Sequence, residues 1–299
     1  MTDCTSLQAE NECRSLPLPP EGGIRVHECF LCGKHSPGAN EDALLATPAG
    51  YVAVVDGATP KSSFRLDGKF PGRWAKELLS EAIARFPRGL DMPGAVAQLT
   101  EAVHDFYVQR GLEKWVEENP SRRFTASVVI FSLARREVWQ VGDCPCRVGT
   151  ACFPNGKLID RIAADARCAF NQAFRLGGGT CPDIAADDPG RRFIHPLLEM
   201  QAAFQNQPPG VSPYAYAAVD GFPVPLELVN VYPVRPGDEV VLASDGYPLV
   251  LPTLSESERY LRRVLEEDPC CLSLFKSTKG KQAGNRSFDD RAYVRFTVG

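Results

Sequence analysis

Three apolar runs in this 299-residue chain each stop at an aspartate. They are Tyr51-Val-Ala-Val-Val-Asp56-Gly57, Glu137-Val-Trp-Gln-Val-Gly-Asp143 and Glu239-Val-Val-Leu-Ala-Ser-Asp245-Gly246. An acidic cluster, Asn40-Glu41-Asp42, precedes the first, and Ser287-Phe-Asp289-Asp290 precedes a closing run, Ala292-Tyr-Val-Arg-Phe-Thr-Val298. Short apolar runs between turn signals read as strands, and strands tipped with carboxylates imply a sheet edge that gathers acids. Two carboxylates about 5 Å apart repel by roughly 3 kcal/mol at an effective dielectric of 20. A converging set therefore needs cations, and oxygen ligands suit magnesium or manganese. A lone Asp-Gly is ordinarily a turn; Asp220-Gly221 reads as a plain hairpin turn. Asp56 and Asp245 differ, because each closes a run apolar enough to be buried.

Between these runs the spacing alternates hairpins with helices. A strand is expected near 24–31 and a hairpin from Asp42 through Asp56. After Pro71, Ala75, Leu78, Leu79, Ile83 and Phe86 share a helical face, and a second helix is expected over 93–118. Strands are expected over 126–133 and 137–141. The segments 146–153 and 157–162 flank Pro154-Asn155-Gly156, and Asn-Gly is a strong hairpin signal. Residues 163–213 read as an irregular flap with one helix around 193–204. A hairpin is expected from 226–234 to 239–244, and Ser255-x-x-Glu258 reads as a capping box opening a helix to Glu267. Hairpins joined directly, with helices in pairs, give an antiparallel α+β protein. Residues 1–21, with three prolines, read as a flexible tail before a single domain over 22–299.

Composition narrows the class. With 44% apolar residues and a net charge of −4, the chain has material for a sizeable core and no electrostatic footprint for nucleic acid or an anionic membrane. It shows neither a signal-peptide pattern nor an apolar run of membrane-spanning length. A cytoplasmic monomer is the expectation. Eleven cysteines are too few for a disulfide scaffold and odd in number, so reduced thiols are expected. The compact pattern His27-x-Cys29-x-x-Cys32-x-x-His35 matches zinc in ligand type but not in spacing.

The order of the acidic motifs resembles the metal-dependent protein phosphatases of the 2C type, as a divergent, bacterial-like member. Asn40-Glu41-Asp42-Ala43 and Val54-Val55-Asp56-Gly57 are similar to that family's opening. Thr125-Ala-Ser-Val-Val with Val141-Gly142-Asp143 resembles its central hairpin. Asp238-Glu-Val-Val-Leu-Ala-Ser-Asp245-Gly246 and Phe288-Asp289-Asp290-Arg-Ala-Tyr-Val resemble its later motifs. The resemblance implies a four-layer α/β/β/α sandwich, two central antiparallel sheets flanked by helix pairs, with a flap insertion at about 163–213. It implies two magnesium or manganese ions held by Glu41, Asp56, the Gly57 carbonyl, Asp245 and Asp289. Asp42 and Asp290 would orient the waters on those ions, and Asp143 matches an acid that holds a third, looser ion in some members. The implied activity is hydrolysis of phosphoserine or phosphothreonine in protein by a water bridging the two ions, with Asp56, Asp245 and Asp289 acting through it and no cysteine nucleophile.

Three departures accompany the match. Pro37 stands where the family places its phosphate-gripping arginine, which leaves Lys34 or His35 as substitutes, and His35 as the histidine to consider for catalysis. Ala58 and Thr59 follow Asp56-Gly57 in place of His-Gly, so the leaving group has no assigned proton donor. Cys144-Pro145 replaces the usual Ser-Arg. These departures motivate an alternative, a pseudophosphatase that binds a phosphoprotein or partner without turnover.

Overall fold

The computed structural model describes residues 23–299 apart from positions 60 and 62, so the expected tail over 1–21 lies outside the described residues. Among the described residues, ten strands form two five-stranded sheets. The first has the order β1 (Ile24–Cys32), β10 (Arg291–Val298), β9 (Glu239–Ala243), β6 (Cys146–Val148) and β7 (Ala151–Phe153). The second runs β2 (Asp42–Ala46), β3 (Tyr51–Gly57), β4 (Ala126–Ser132), β5 (Glu137–Val141) and β8 (Asn230–Pro233). Every neighbouring pair is antiparallel.

The alternation of side chains along each strand sorts residues into two cores. Val52, Val54, Val129, Phe131 and Val138 of the second sheet meet Val240, Leu242, Val294 and Phe296 of the first between the sheets. The opposite face of the second sheet, Tyr51, Ala53, Val55, Val128 and Ile130, packs on helices α1 (Pro71–Ala84) and α2 (Met92–Arg110). The outer face of the first sheet, with Phe30, Val241, Ala243 and Tyr293, is covered by Tyr247, Val250 and Leu254 at the start of α7 (Leu254–Glu267). Helix, sheet, sheet and helix layers follow, as expected. No helix among the described residues is long and apolar enough to cross a membrane.

Several local expectations change. Gly111 takes a left-handed conformation (φ 62°) that closes α2, and a short α3 (Glu113–Glu118) follows instead of one continuous helix. Asn155-Gly156 does not turn a hairpin; Asn155 takes φ 44° and donates from its side chain to the Gly142 carbonyl (2.6 Å). Helix α4 (Leu158–Leu176) begins two residues past it. The segment expected to be irregular continues as α5 (Cys181–Ala186) and α6 (Pro189–Met200). The expected hairpin from 226–234 to 239–244 is a crossing between sheets, because β8 pairs with β5 while β9 pairs with β10 and β6. The capping box of α7 belongs to Thr253 and Glu256, two residues earlier than Ser255 and Glu258. Glu258 is buried and instead accepts from Arg291 and from the Tyr247 hydroxyl. Asp220 is no exposed turn: its fully buried carboxylate accepts from Arg123 (2.9 Å), Gln205 (2.6 Å) and Asn206 (3.0 Å). Cys29 is buried between the sheets, and eight further cysteines among the described residues carry free thiols.

Candidate metal and phosphate site

Strands β3 and β5 both run antiparallel to β4, so Asp56 and Asp143 emerge at the same edge of the second sheet. Ser127, opposite Asp56 in the register, donates its hydroxyl to Asp143 Oδ1 (2.5 Å) and accepts from the Asp143 amide (3.2 Å). Asp42 stands directly across from Asp56 on β2. From the other sheet, Asp245 lies just past β9, and its amide donates to Asp56 Oδ2 (3.2 Å). The two Asp-Gly glycines are required by close approach. A Cβ on Gly57 would collide with the Gly72 carbonyl at the start of α1, and one on Gly246 with the Asp290 carbonyl. A side chain at either place would drive the acids apart.

Asp56, Gly57, Asp143, Asp245 and Asp289 line a cavity of about 640 Å³. Lys61, Arg123, Lys157, Arg191 and Lys279 belong to the same lining. Glu41, Asp42 and Asp290 are buried behind this surface at 4%, 3% and 3% exposure. Both proposed phosphate-side substitutes are displaced. His35 is exposed and outside the cavity lining. Lys34 is also absent from the lining, because its ammonium turns inward to Asp289 Oδ1 (2.7 Å), Asp290 Oδ2 (3.5 Å), Glu41 Oε2 (3.6 Å) and the Thr59 hydroxyl (3.0 Å).

The electrostatics divide the acids. Burial, then the charges of Asp245 and Asp42, push the Asp56 carboxyl well above its usual range. Burial likewise raises Asp42, reinforced by Asp290 and Asp289. Asp245, which opens to the cavity, is pushed up to about 6 by its enclosure and by Asp143 and Asp289. Asp143 is held low against burial by Lys157, whose Nζ lies 2.8 Å away. Asp289 is held below the carboxylate range, also against burial, by Lys279 and Lys34. Cys144 is buried, and burial with Asp56 and Asp143 beside it pushes its thiol well above the ordinary range, which disqualifies it as a nucleophile.

Among the described residues, no three His, Cys, Asp or Glu side chains stand arranged to hold one metal ion. The chemistry of the donor set nevertheless fits a hard dication. Asp245 raises the proton affinity of Asp56, burial outweighs the lysine charges at Asp245 itself, and the buried Glu41 Oε1 and Asp42 Oδ2 accept no hydrogen bond. Buried acceptors left unpaired cost free energy that a cation restores.

No family model matches the sequence, and no curated protein sequence matches it either. Among solved structures, several bacterial proteins are similar in fold, serine/threonine phosphatases among them. PppA of Pseudomonas aeruginosa is 19% identical with a TM-score of 0.44, over 93% of this chain and 99% of that one. The catalytic domain of the serine/threonine phosphatase PstP, crystallised with two manganese ions, is 17% identical with a TM-score of 0.46, over 92% and 98%. RsbX, crystallised with magnesium, is 10% identical with a TM-score of 0.45, over 95% and 100%. Superpositions this loose leave the chemistry to be argued from the residues themselves.

Nothing in the sequence pattern singles out Lys61, Lys157 or Arg191. They sit on loops and helices whose approach to Asp56 depends on the tertiary fold. Lys279 belongs to a basic stretch with Lys276 and Lys281, and that local charge was the one readable sign of it.

Proposed function

We propose that this chain is a divalent-cation-dependent phosphomonoester hydrolase acting on phosphoserine or phosphothreonine in protein. One observation carries the reading: a single cavity is lined by both acids and cations, Asp56, Asp143, Asp245 and Asp289 together with Lys61, Arg191 and Lys279. A phosphate alone would be repelled by those acids, and a metal ion alone would gain nothing from those basic groups. A cation with a phosphate is served by both. The volume lies within the roughly 300–1,000 Å³ of ordinary ligand pockets.

Asp56 and Asp245, with the Gly57 carbonyl, would hold magnesium or manganese. When bound, such an ion lowers the pKa of a coordinated water and neutralises phosphoryl oxygens. Asp42 stands behind Asp56, directly across from it in the strand register. Lys61, Arg191 and Lys279 supply positive charge to the phosphate oxygens in place of the arginine absent at Pro37. Lys61 also supplies the proton donor missing at Ala58. Burial and the neighbouring Lys279 and Arg191 charges lower its pKa to about 8, close to the pH at which a general acid works best. Its Nζ would hand a proton to the serine or threonine oxygen as that oxygen leaves.

The test is hydrolysis of p-nitrophenyl phosphate and of phosphoserine and phosphothreonine peptides with and without added Mn²⁺. Turnover that needs the ion supports the reading; wild-type protein inert with Mn²⁺ and Mg²⁺ on all three sinks it. The pseudophosphatase alternative draws on Lys34 and Lys279 at Asp289, and it predicts phosphopeptide binding without turnover.

A further inference from the structure

The acid cluster is neutralised in two different ways, and the difference bears on how many metal ions the proposed hydrolase holds. In the antiparallel register Cys32 pairs with Arg291. Two residues further along each way, the chain brings Lys34 beside Asp289. The Lys34 amide donates to Asp290 Oδ1 (2.7 Å), and the amide of Arg286 donates to the Lys34 carbonyl (2.8 Å), so the backbone of Lys34 is fixed before its side chain is considered. The side chain then carries an ammonium into a ring of four oxygens from Asp289, Thr59, Asp290 and Glu41, all within 3.6 Å. Thr59 closes the ring by donating to Glu41 Oε2 (3.0 Å). The other Asp289 oxygen is taken by Lys279.

We infer that the Lys34 ammonium is a built-in cation, standing between Glu41, Asp289 and Asp290 in place of a second divalent ion, so that this chain binds one metal ion, on Asp56 and Asp245. The inference rests on the hydrolase reading. Its physical content is occupancy: a lysine head and a dication cannot share one set of oxygens. A lysine held at both ends also has little entropy to gain by leaving. Among the described residues no lysine forms an ion pair with Asp56 or Asp245; the two whose charge reaches Asp245, Lys157 and Lys279, are paired with Asp143 and Asp289. The Thr59 position supports the same assignment, since its hydroxyl accepts from the ammonium and donates to the carboxylate, a role no residue without a hydroxyl could fill.

The experiment is Mn²⁺ binding to the full chain, stripped of metal, measured by calorimetry and by metal content after equilibrium dialysis. Wild type is expected to take one equivalent, and Lys34→Gln two, with Lys34→Arg remaining at one. Metal-free Lys34→Gln is also expected to melt below wild type and to regain the loss when Mn²⁺ is added. Electron paramagnetic resonance of wild type at saturating Mn²⁺ should show an uncoupled, mononuclear spectrum, a reading independent of whether any variant folds. Two equivalents or a spin-coupled pair in wild type overturns the inference and leaves the hydrolase reading standing. A folded Lys34→Gln that stays at one equivalent also overturns it. No binding by wild type overturns the hydrolase reading itself.

Discussion

Two halves of one acid cluster are stabilised by opposite means. Around Asp289 the acids meet lysines: Lys34 and Lys279 depress its pKa, and the acids in turn raise that of Lys34 against the effect of burial. Around Asp56 the acids meet each other, and proton affinity rises instead. At Asp289 the first half carries its own countercharge; at Asp56 the second is an unmet demand. A fold tolerates unmet demand where a ligand supplies what is missing, so the second half is the place to look for binding and the first for its frame.

The largest effect expected from this contrast is at Asp56. Asp56→Asn should remove Mn²⁺ binding and bring phosphatase activity to background, a loss on the order of 10³-fold or more if the ion carries several kcal/mol of transition-state stabilisation. Retention of Mn²⁺ binding by a folded Asp56→Asn would break the comparison at its root.

Lys61 comes next, and it contrasts with Lys34. One lysine is raised by carboxylates and the other lowered, to about 8, by burial and by Lys279 and Arg191. Lys61→Arg keeps the charge but gives up the proton. Hydrolysis of phosphoserine peptide, which has a poor leaving group, should fall by about 10²-fold, while p-nitrophenyl phosphate, whose leaving group needs no proton, should change little. Wild-type activity on the peptide should decline as pH rises through 8. An equal loss on both substrates would leave Lys61 as a phosphate contact alone.

Stability separates the halves by sign. Asp289→Asn leaves two partly buried ammonium groups short of a partner and should lower metal-free stability by about 2 kcal/mol. Asp56→Asn relieves repulsion in the same cluster and should raise it by about 1 kcal/mol. Chemical denaturation of the metal-free proteins reads both, and shifts of the same sign would show that the halves are not distinct.

Legibility in the sequence follows the range of the interactions. The Asp42–Asp56 hairpin and the strand over 137–141 were readable because alternation and turn residues are local. Helix α4 was hidden because Asn155-Gly156 imitates a hairpin turn, whereas its backbone turn and side-chain bond to Gly142 lead into a helix. Asp220 was hidden for a similar reason: its partner Arg123 lies 97 positions away. The placement of Lys34 was the least readable of all. It depends on pairing between β1 and β10, across a separation of 255 residues between Lys34 and Asp289, and no local pattern encodes that register.

The smallest effect is the pH dependence of metal-free stability, and it tests the contrast most finely. Asp245 has a folded pKa of about 6, above the usual value near 3.9 in unfolded chains. A carboxylate raised on folding holds its proton more tightly in the native state. Its support is therefore full below about pH 4 and is withdrawn as pH climbs through 6. Asp289 is depressed by its lysines, so its support is present above about pH 4 and is lost as pH falls further. The urea midpoint of wild type should thus decline on both sides of a maximum near pH 4 to 5, as far as these two groups govern it. Asp245→Asn should flatten the alkaline side alone and Asp289→Asn the acid side alone. Saturating Mn²⁺ should abolish the alkaline decline, because a bound dication removes the reason for Asp245 to keep its proton, while the acid limb set by Lys34 and Lys279 persists. If Mn²⁺ flattened both limbs equally, Asp289 would be a metal ligand after all, and the division between the two halves would fail.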